Sequence, residues 1–280
     1  MANYMQINRR IHYFIVPSLI GLLTFYVIPF IQIIYQVFTR FATKKFIGFD
    51  NLVMVVKNKS FQLAIKNTAL FMVLAIPLLI ISALMFARLL NQFHDKWGHL
   101  KVIYMIPLVI PAVSLGFFWQ ILFSKYGMLN MITSLSIDWL NSSASLVVLV
   151  FIFIWKNLGY MTILFLAGIQ NIPYVYIEAA QVDGADDKLI FSSIILPNLR
   201  KTCFVVVLFS LLNSFKIYRD IYAIFGDYPN RSVYMLQHVF NNWFRDFGID
   251  KLSVGSLLYV ISIIIIIYPI NYLFNREGLV

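Results

Sequence analysis

The chain has 280 residues, 61% of them apolar, with 22 Lys and Arg against 12 Asp and Glu, a formal charge of +10 and a mean hydropathy of +0.81. Apolar runs of about 20 residues recur along the whole length, which excludes an ordinary soluble domain and indicates a polytopic membrane protein. The basic excess sits mostly in short links beside those runs, where anionic lipid headgroups are the counter-charge, and no nucleic-acid-binding motif accompanies it.

Taken in chain order, the apolar segments are residues 13–38, 65–90, 102–123, 146–169, 202–218 and 254–274. At about 1.5 Å per residue each reaches across a hydrocarbon core of about 30 Å, the fifth only just. Helix is the expected form, because a backbone in lipid must satisfy its own hydrogen bonds. Arg9 and Arg10 precede the first run, but no small-x-small pattern follows it, so it is read as a retained span. Pro17, Pro29, Pro77, Pro107 and Pro111 fall in the first three runs and predict kinks whose freed carbonyls find other partners. With the amino terminus inside, about nine Lys and Arg lie inside and about eleven outside, so charge bias alone does not orient the chain. The single cysteine, Cys203, makes neither an intrachain disulfide nor a zinc site and reads as a small apolar residue.

One link stands out. Residues 170–201, between the fourth and fifth runs, are too polar for a span and too patterned for a flexible loop. Pro173 can open a helix that Tyr174 to Val182 carry, and Gly184 can end it at positive φ. A second helix from Asp186 to Leu196, with acids in its first turn, is stopped by Pro197 in this reading. Together they form a helix–turn–helix outside the membrane.

Within that link Glu178-Ala179-Ala180, Asp183-Gly184-Ala185, Ile194 and Leu196-Pro197 resemble the EAA loop of permease subunits of binding-protein-dependent ABC importers. The resemblance runs on through Phe46-Ile-Gly-Phe-Asp-Asn51, Asn67-Thr68, Ile106-Pro107 to Pro111, Trp119, Gly127, Asn130, Trp155 to Gly159, Leu166 to Gln170, and Asn213 to Lys216 followed by Pro229. It covers roughly residues 10–275. The usual Gly-Gly-Pro is Asp-Tyr-Pro here, and Lys201 replaces a common second proline. The likeness is to the carbohydrate-uptake type, in its first-permease (maltose/glycerol-phosphate-like) branch.

The resemblance implies an all-α integral membrane fold of six transmembrane helices with a cytoplasmic EAA helix–turn–helix, the type I importer permease. Residues 1–62 would be the amino-terminal segment, first span and extracytoplasmic link, and residues 63–276 the permease core. Glu178, Ala179, Ala180, Asp183, Gly184, Leu196 and Pro197 would couple to the ATPase. Gly159, Tyr160, Thr162, Ser210, Asn213 and Ser214 are candidates for the substrate path, offering an aromatic face, hydroxyls and an amide to a sugar. The partners implied are a second homologous permease, two ABC ATPase subunits, an extracytoplasmic solute-binding protein and membrane lipids. ATP and Mg would be bound by the partner ATPase, with no cofactor in this chain, and the location would be the bacterial cytoplasmic membrane.

The residues also speak to rival readings. The chain has no Gly-Lys pair and hence no P-loop signature. No paired carboxylates, Ser-His-Asp set or metal-like His cluster appears, so neither catalysis nor a metal is expected; the four histidines read as surface or headgroup residues. All 12 acids fall in links or at the ends of runs. Ion-coupled carriers place a carboxylate at membrane depth, so this pattern weighs against secondary transport. Lys156 and Lys216 lie within or near spans and must face protein, water or an interface. A permease of the same fold for a non-sugar solute is the nearer alternative, an ion-coupled transporter the more distant one.

Overall fold

Each long apolar run that can be followed is helical, as backbone in hydrocarbon requires. The computed structural model describes residues 15–92 and 106–275. In chain order the helices are α1 (Ile15–Val37), α2 (Asp50–Val56), α3 (Lys59–Gln92), α4 (Ile106–Val109), α5 (Ala112–Phe123), α6 (Met128–Thr133) and α7 (Ser145–Gln170). There follow α8 (Tyr174–Val182), α9 (187–198), α10 (Arg200–Lys216), α11 (Tyr218–Phe225), α12 (Leu236–Arg245) and α13 (Ile249–Asn275). Among the described residues five stretches are long and apolar enough to cross a membrane: α1, α3, α7, the α10–α11 pair over Arg200–Phe225, and Ile249–Tyr272 of α13.

The residues form two compact units, one joining 15–62 with 240–264 and the other 63–239 with 265–275. In the first, the Phe46–Asn51 element ends in a buried amide. Asn51 Nδ2 lies 3.1 Å from Val37 O, 3.0 Å from Thr39 O and 3.4 Å from Gln36 O, carbonyls at and just past the end of α1. Phe41 N–H donates to Asp250 Oδ1 at 2.7 Å, and Ser253 Oγ meets Gln36 Oε1 at 2.7 Å, tying α13 to the same corner.

In the second unit α3 presents Phe71, Ala75, Leu79, Ala83 and Ala87, spaced four apart and all within 1% of full burial. Three alanines on that stripe let α3 approach closely, and Leu149, Phe153, Met161 and Phe165 of α7 belong to the same cluster. At the head of α3, Asn67 Nδ2 donates to Arg231 O (2.7 Å) and Tyr234 O (3.0 Å), while Thr68 Oγ1 accepts Leu236 N–H at 3.1 Å. The Asn67-Thr68 pair thereby pins the loop that leads into α12. Helix α5 runs against α11 with backbones nearly touching: a Cβ on Gly116 would sit 2.7 Å from the Ala223 Cβ.

Four expectations need correction. The third run is not one continuous helix: α4 stops, Pro111 takes extended ψ 138°, and α5 starts afresh, residues 102–105 lying outside the described part. The fifth run does not end at Tyr218 but continues, with a turn at Ile217, to Phe225. Asp220 lies just past that turn, at the end of the apolar run. Pro197 does not stop α9 either. A wide π turn, Phe191–Ile195, precedes it, with Leu196 N–H reaching back to Phe191 O. The same device precedes Pro29, where Leu23–Val27 is a π turn and Ile28 N–H reaches Leu23 O. A widened turn relieves the clash between a proline ring and the carbonyl four residues earlier.

The fourth correction concerns His238, expected at a surface and found wholly buried. Its Nδ1 accepts Met235 N–H at 3.2 Å, its ring meets Tyr218 edge-on at 4.8 Å, and Nε2 has no partner among the described residues. Burial pushes its pKa down to about 4, outweighing the opposing pull of Asp227. His12, His94 and His99 lie outside the described residues.

Candidate functional site

Two places in the second unit bring chemistry together. The first is the link. Pro173 caps α8, and after Val182 the chain turns through Gly184 at φ +83°. Gly184 N–H bonds Gln181 O at 3.0 Å and Ala185 N–H bonds Ala180 O at 2.9 Å, the paired bonds of a Schellman turn. Only a residue tolerant of positive φ closes this turn without strain, which accounts for the glycine. Asp186 then caps α9, its Oδ1 accepting Leu189 N–H at 2.8 Å.

None of α8's residues is buried. Glu178, Ala179, Asp183 and Gly184 are exposed, as are Leu196 and Pro197 further along, and Ala180 is half-buried. Ala180, Asp183 and Gly184 help line a shallow pocket of about 320 Å³ between α8 and α9. Tyr174, Val175 and Val182 are 62%, 68% and 87% exposed, so α8 shows apolar surface beside its carboxylates. The link is anchored by Arg88 of α3, whose guanidinium lies 4.5 Å from the centre of the Phe191 ring and 3.5 Å from Asp187 O.

The second place is a cavity of about 370 Å³ at the break between α4 and α5. Lys156 on α7 and Asp220 on α11 form an ion pair across it, with Nζ 2.7 Å and 3.0 Å from the two carboxylate oxygens. Asp220 is 3% exposed and the Lys156 side chain 19%. A lone buried charge is costly, so each explains how the other is tolerated. Beside them Asn213 Nδ2 donates to Asn157 Oδ1 at 3.1 Å, and Lys216 and Arg219 complete the polar wall. Phe153, Ile110 and Pro111 supply its apolar part.

Of the six path candidates, Asn213 lines this cavity. Thr162 and Ser214 are buried and spend their hydroxyls on their own helices, on Leu158 O at 2.7 Å and Leu211 O at 2.6 Å. Gly159 is buried, Ser210 is buried with its Oγ unpartnered among the described residues, and Tyr160 packs edge-on to Phe209 at 5.6 Å. Sequence reasoning singled out Lys156 and Lys216 but not Asn157, Arg219 or Asp220. The available signal was Lys156 itself: a mid-span cation calls for an acid, and Asp220 is the first one after the fifth run.

Comparison with known proteins agrees with this architecture. The family model described as "Binding-protein-dependent transport system inner membrane component" matches residues 70–276. The trehalose/maltose transport system permease protein MalF of Thermococcus litoralis is 28% identical over 276 residues, 94% of this chain and 93% of that one. The multiple sugar-binding transport system permease protein MsmF of Streptococcus mutans is 26% identical over 264 residues, 91% and 90% of the two chains. Among solved structures, a bacterial ABC transporter that imports the acidic polysaccharide alginate superposes with a TM-score of 0.82 over 99% of both chains at 21% identity, a likeness of fold. The chain therefore belongs to the inner-membrane components of binding-protein-dependent transport systems, as a multi-pass, non-catalytic permease subunit of an ABC transporter.

Proposed function

We propose that this subunit forms part of the translocation path of an importer for a sugar or related solute, and that ATP hydrolysis by a partner drives it through the 170–201 link. The observation that carries the coupling role is the exposure of α8. Apolar side chains held out on a helix with no buried residue, beside acids and on a rigid turn, form a surface that suits a protein partner. Glu178 and Asp183 would meet basic groups or free amides on that partner, and Ala179 and Ala180 would allow its close approach. The link and the amino terminus would then be cytoplasmic. The third run, broken at Pro111, would count as the sixth span.

In this reading, closure of two ATPase subunits moves α8 and α9 and switches the path between outward and inward access. A second, homologous permease would complete the path, and an extracytoplasmic binding protein would deliver the solute. A sugar is favoured by relatives whose names specify trehalose/maltose and multiple sugars. The cavity supports the path. It sits where a helix is broken, near mid-span, and offers the Asn213 amide and a Phe153 wall to a polyhydroxylated solute.

The test is ATPase activity of the whole complex in lipid nanodiscs, with and without its binding protein, across a panel of sugars. One sugar with the binding protein should stimulate hydrolysis, and Glu178→Lys should remove the stimulation without preventing membrane insertion. A chain that co-purifies with no ATPase, or a complex that no sugar stimulates, overturns the reading.

A further inference from the structure

Lys156 stands roughly midway along α7, about 17 Å from Ser145 and about 21 Å from Gln170 at 1.5 Å per residue. The cavity it lines is therefore at membrane depth, where uncompensated charge is costly. Of its four charged residues, Lys156 and Asp220 neutralise each other, leaving Lys216 and Arg219 in excess. Both are exposed, and neither has an acceptor among the described residues. Helix α5 opens onto the same wall at Pro111 and Ala112 with no side-chain cap, so the positive end of its dipole adds to the field. Two free cations and a helix amino end, in a cavity whose one carboxylate is already spent, suit a negatively charged occupant.

We propose that the transported solute is an anionic sugar, carrying a carboxylate or a phosphate ester, held by Lys216 and Arg219 while Asn213, positioned by Asn157, bonds its hydroxyls. This rests on the importer reading above and narrows its substrate class. Arg219 presents a planar fork suited to two anionic oxygens, and Lys216 a single mobile charge. The Lys156–Asp220 pair is not the anion site, because its ammonium is occupied by both carboxylate oxygens. It holds α7 and α11 as the walls of the cavity.

The experiment uses the full complex with its binding protein in proteoliposomes, with neutral sugars and their acidic counterparts as matched probes: galactose against galacturonate, glucose against glucuronate, glucose against glucose 6-phosphate. Solute-stimulated ATPase and uptake are read for each. The acidic members should stimulate and their neutral partners should not, and the uronate and phosphate arms tell carboxylate from phosphate. In a complex carrying Lys216→Gln and Arg219→Gln, the half-saturating concentration of the acidic solute should rise at least tenfold. The exchange Lys216→Arg with Arg219→Lys should recover most of that loss. If the neutral members stimulate as well as or better than the acidic ones, or if the double glutamine variant leaves half-saturation unchanged, the anionic class is overturned while the importer stands. If no probe stimulates, the sugar reading falls and this inference with it.

Discussion

The link and the cavity differ in how far apart in the chain their parts lie. Every group that shapes the link's turn, from the carbonyl of Ala180 to the cap Asp186, comes from a few consecutive residues. The cavity is assembled from the break at Pro111, Lys156 and Asn157 on α7, and residues 213–220 around the turn at Ile217. Its central contact spans 64 residues. A locally built site tolerates change elsewhere and fails through its own backbone. A site assembled across helices fails when one partner of a pair is lost. The two regions should thus respond to mutation in separable ways.

The largest effect that sharpens this contrast is on the ion pair. Asp220→Asn leaves the Lys156 ammonium without its carboxylate, and breaking such a buried pair costs about 3 kcal/mol, the low end being apt because Lys156 keeps some access to the cavity. Lys156→Met with Asp220→Leu removes both charges and should recover most of that loss. Thermal unfolding of the purified subunit in detergent reads both. A single variant as stable as the native chain would show that the pair contributes nothing to holding the helices.

The next effect is on the link. Gly184→Val forces a β-branched residue to φ +83°, at a cost of about 1–2 kcal/mol confined to the turn. Unfolding of the membrane helices should be nearly unchanged while solute-stimulated ATPase is lost. Retained stimulation would break the contrast, since the turn would then not matter to coupling. A smaller effect is expected for Arg88→Ala. It removes a cation over Phe191 and a marginal hydrogen bond to Asp187 O, together about 1 kcal/mol, and should weaken stimulation without abolishing it.

The same contrast sets what the chain alone reveals. Tyr174–Val182, the glycine turn and the Asp186 start were all legible, because capping, positive φ and helix propensity act within a turn or two. The membrane helices were legible from apolar runs, with ends misplaced where a polar residue found a partner far along the chain. Asp220 read as an ordinary link acid because nothing local announces that it is buried against Lys156. Pro197 read as a stop because the π turn that accommodates it has no signature in composition. The path candidates on α7 and α10 were chosen as polar residues in spans. Thr162 and Ser214 show why that rule is weak: a hydroxyl in a helix can satisfy itself on the carbonyl three or four residues back.

His238 belongs to neither region and gives the smallest effect, a background against which the others are measured. In the unfolded chain its ring titrates near its ordinary value of 6.5, and in the fold only at about 4. Between those values the unfolded chain binds the extra proton, so stability is complete above about pH 6.5 and is lost as pH falls toward 4. From pH 7.5 to 6.0 the expected loss is under about 1 kcal/mol. His238→Asn keeps an acceptor for Met235 N–H and cannot titrate, so its melting temperature should be flatter over that interval. If native and variant chains lose stability in parallel, the slope belongs to other groups and the buried ring is not its source. If the variant is flat, the Lys156–Asp220 and Gly184 comparisons are best made at pH 7.5, where His238 contributes no slope of its own.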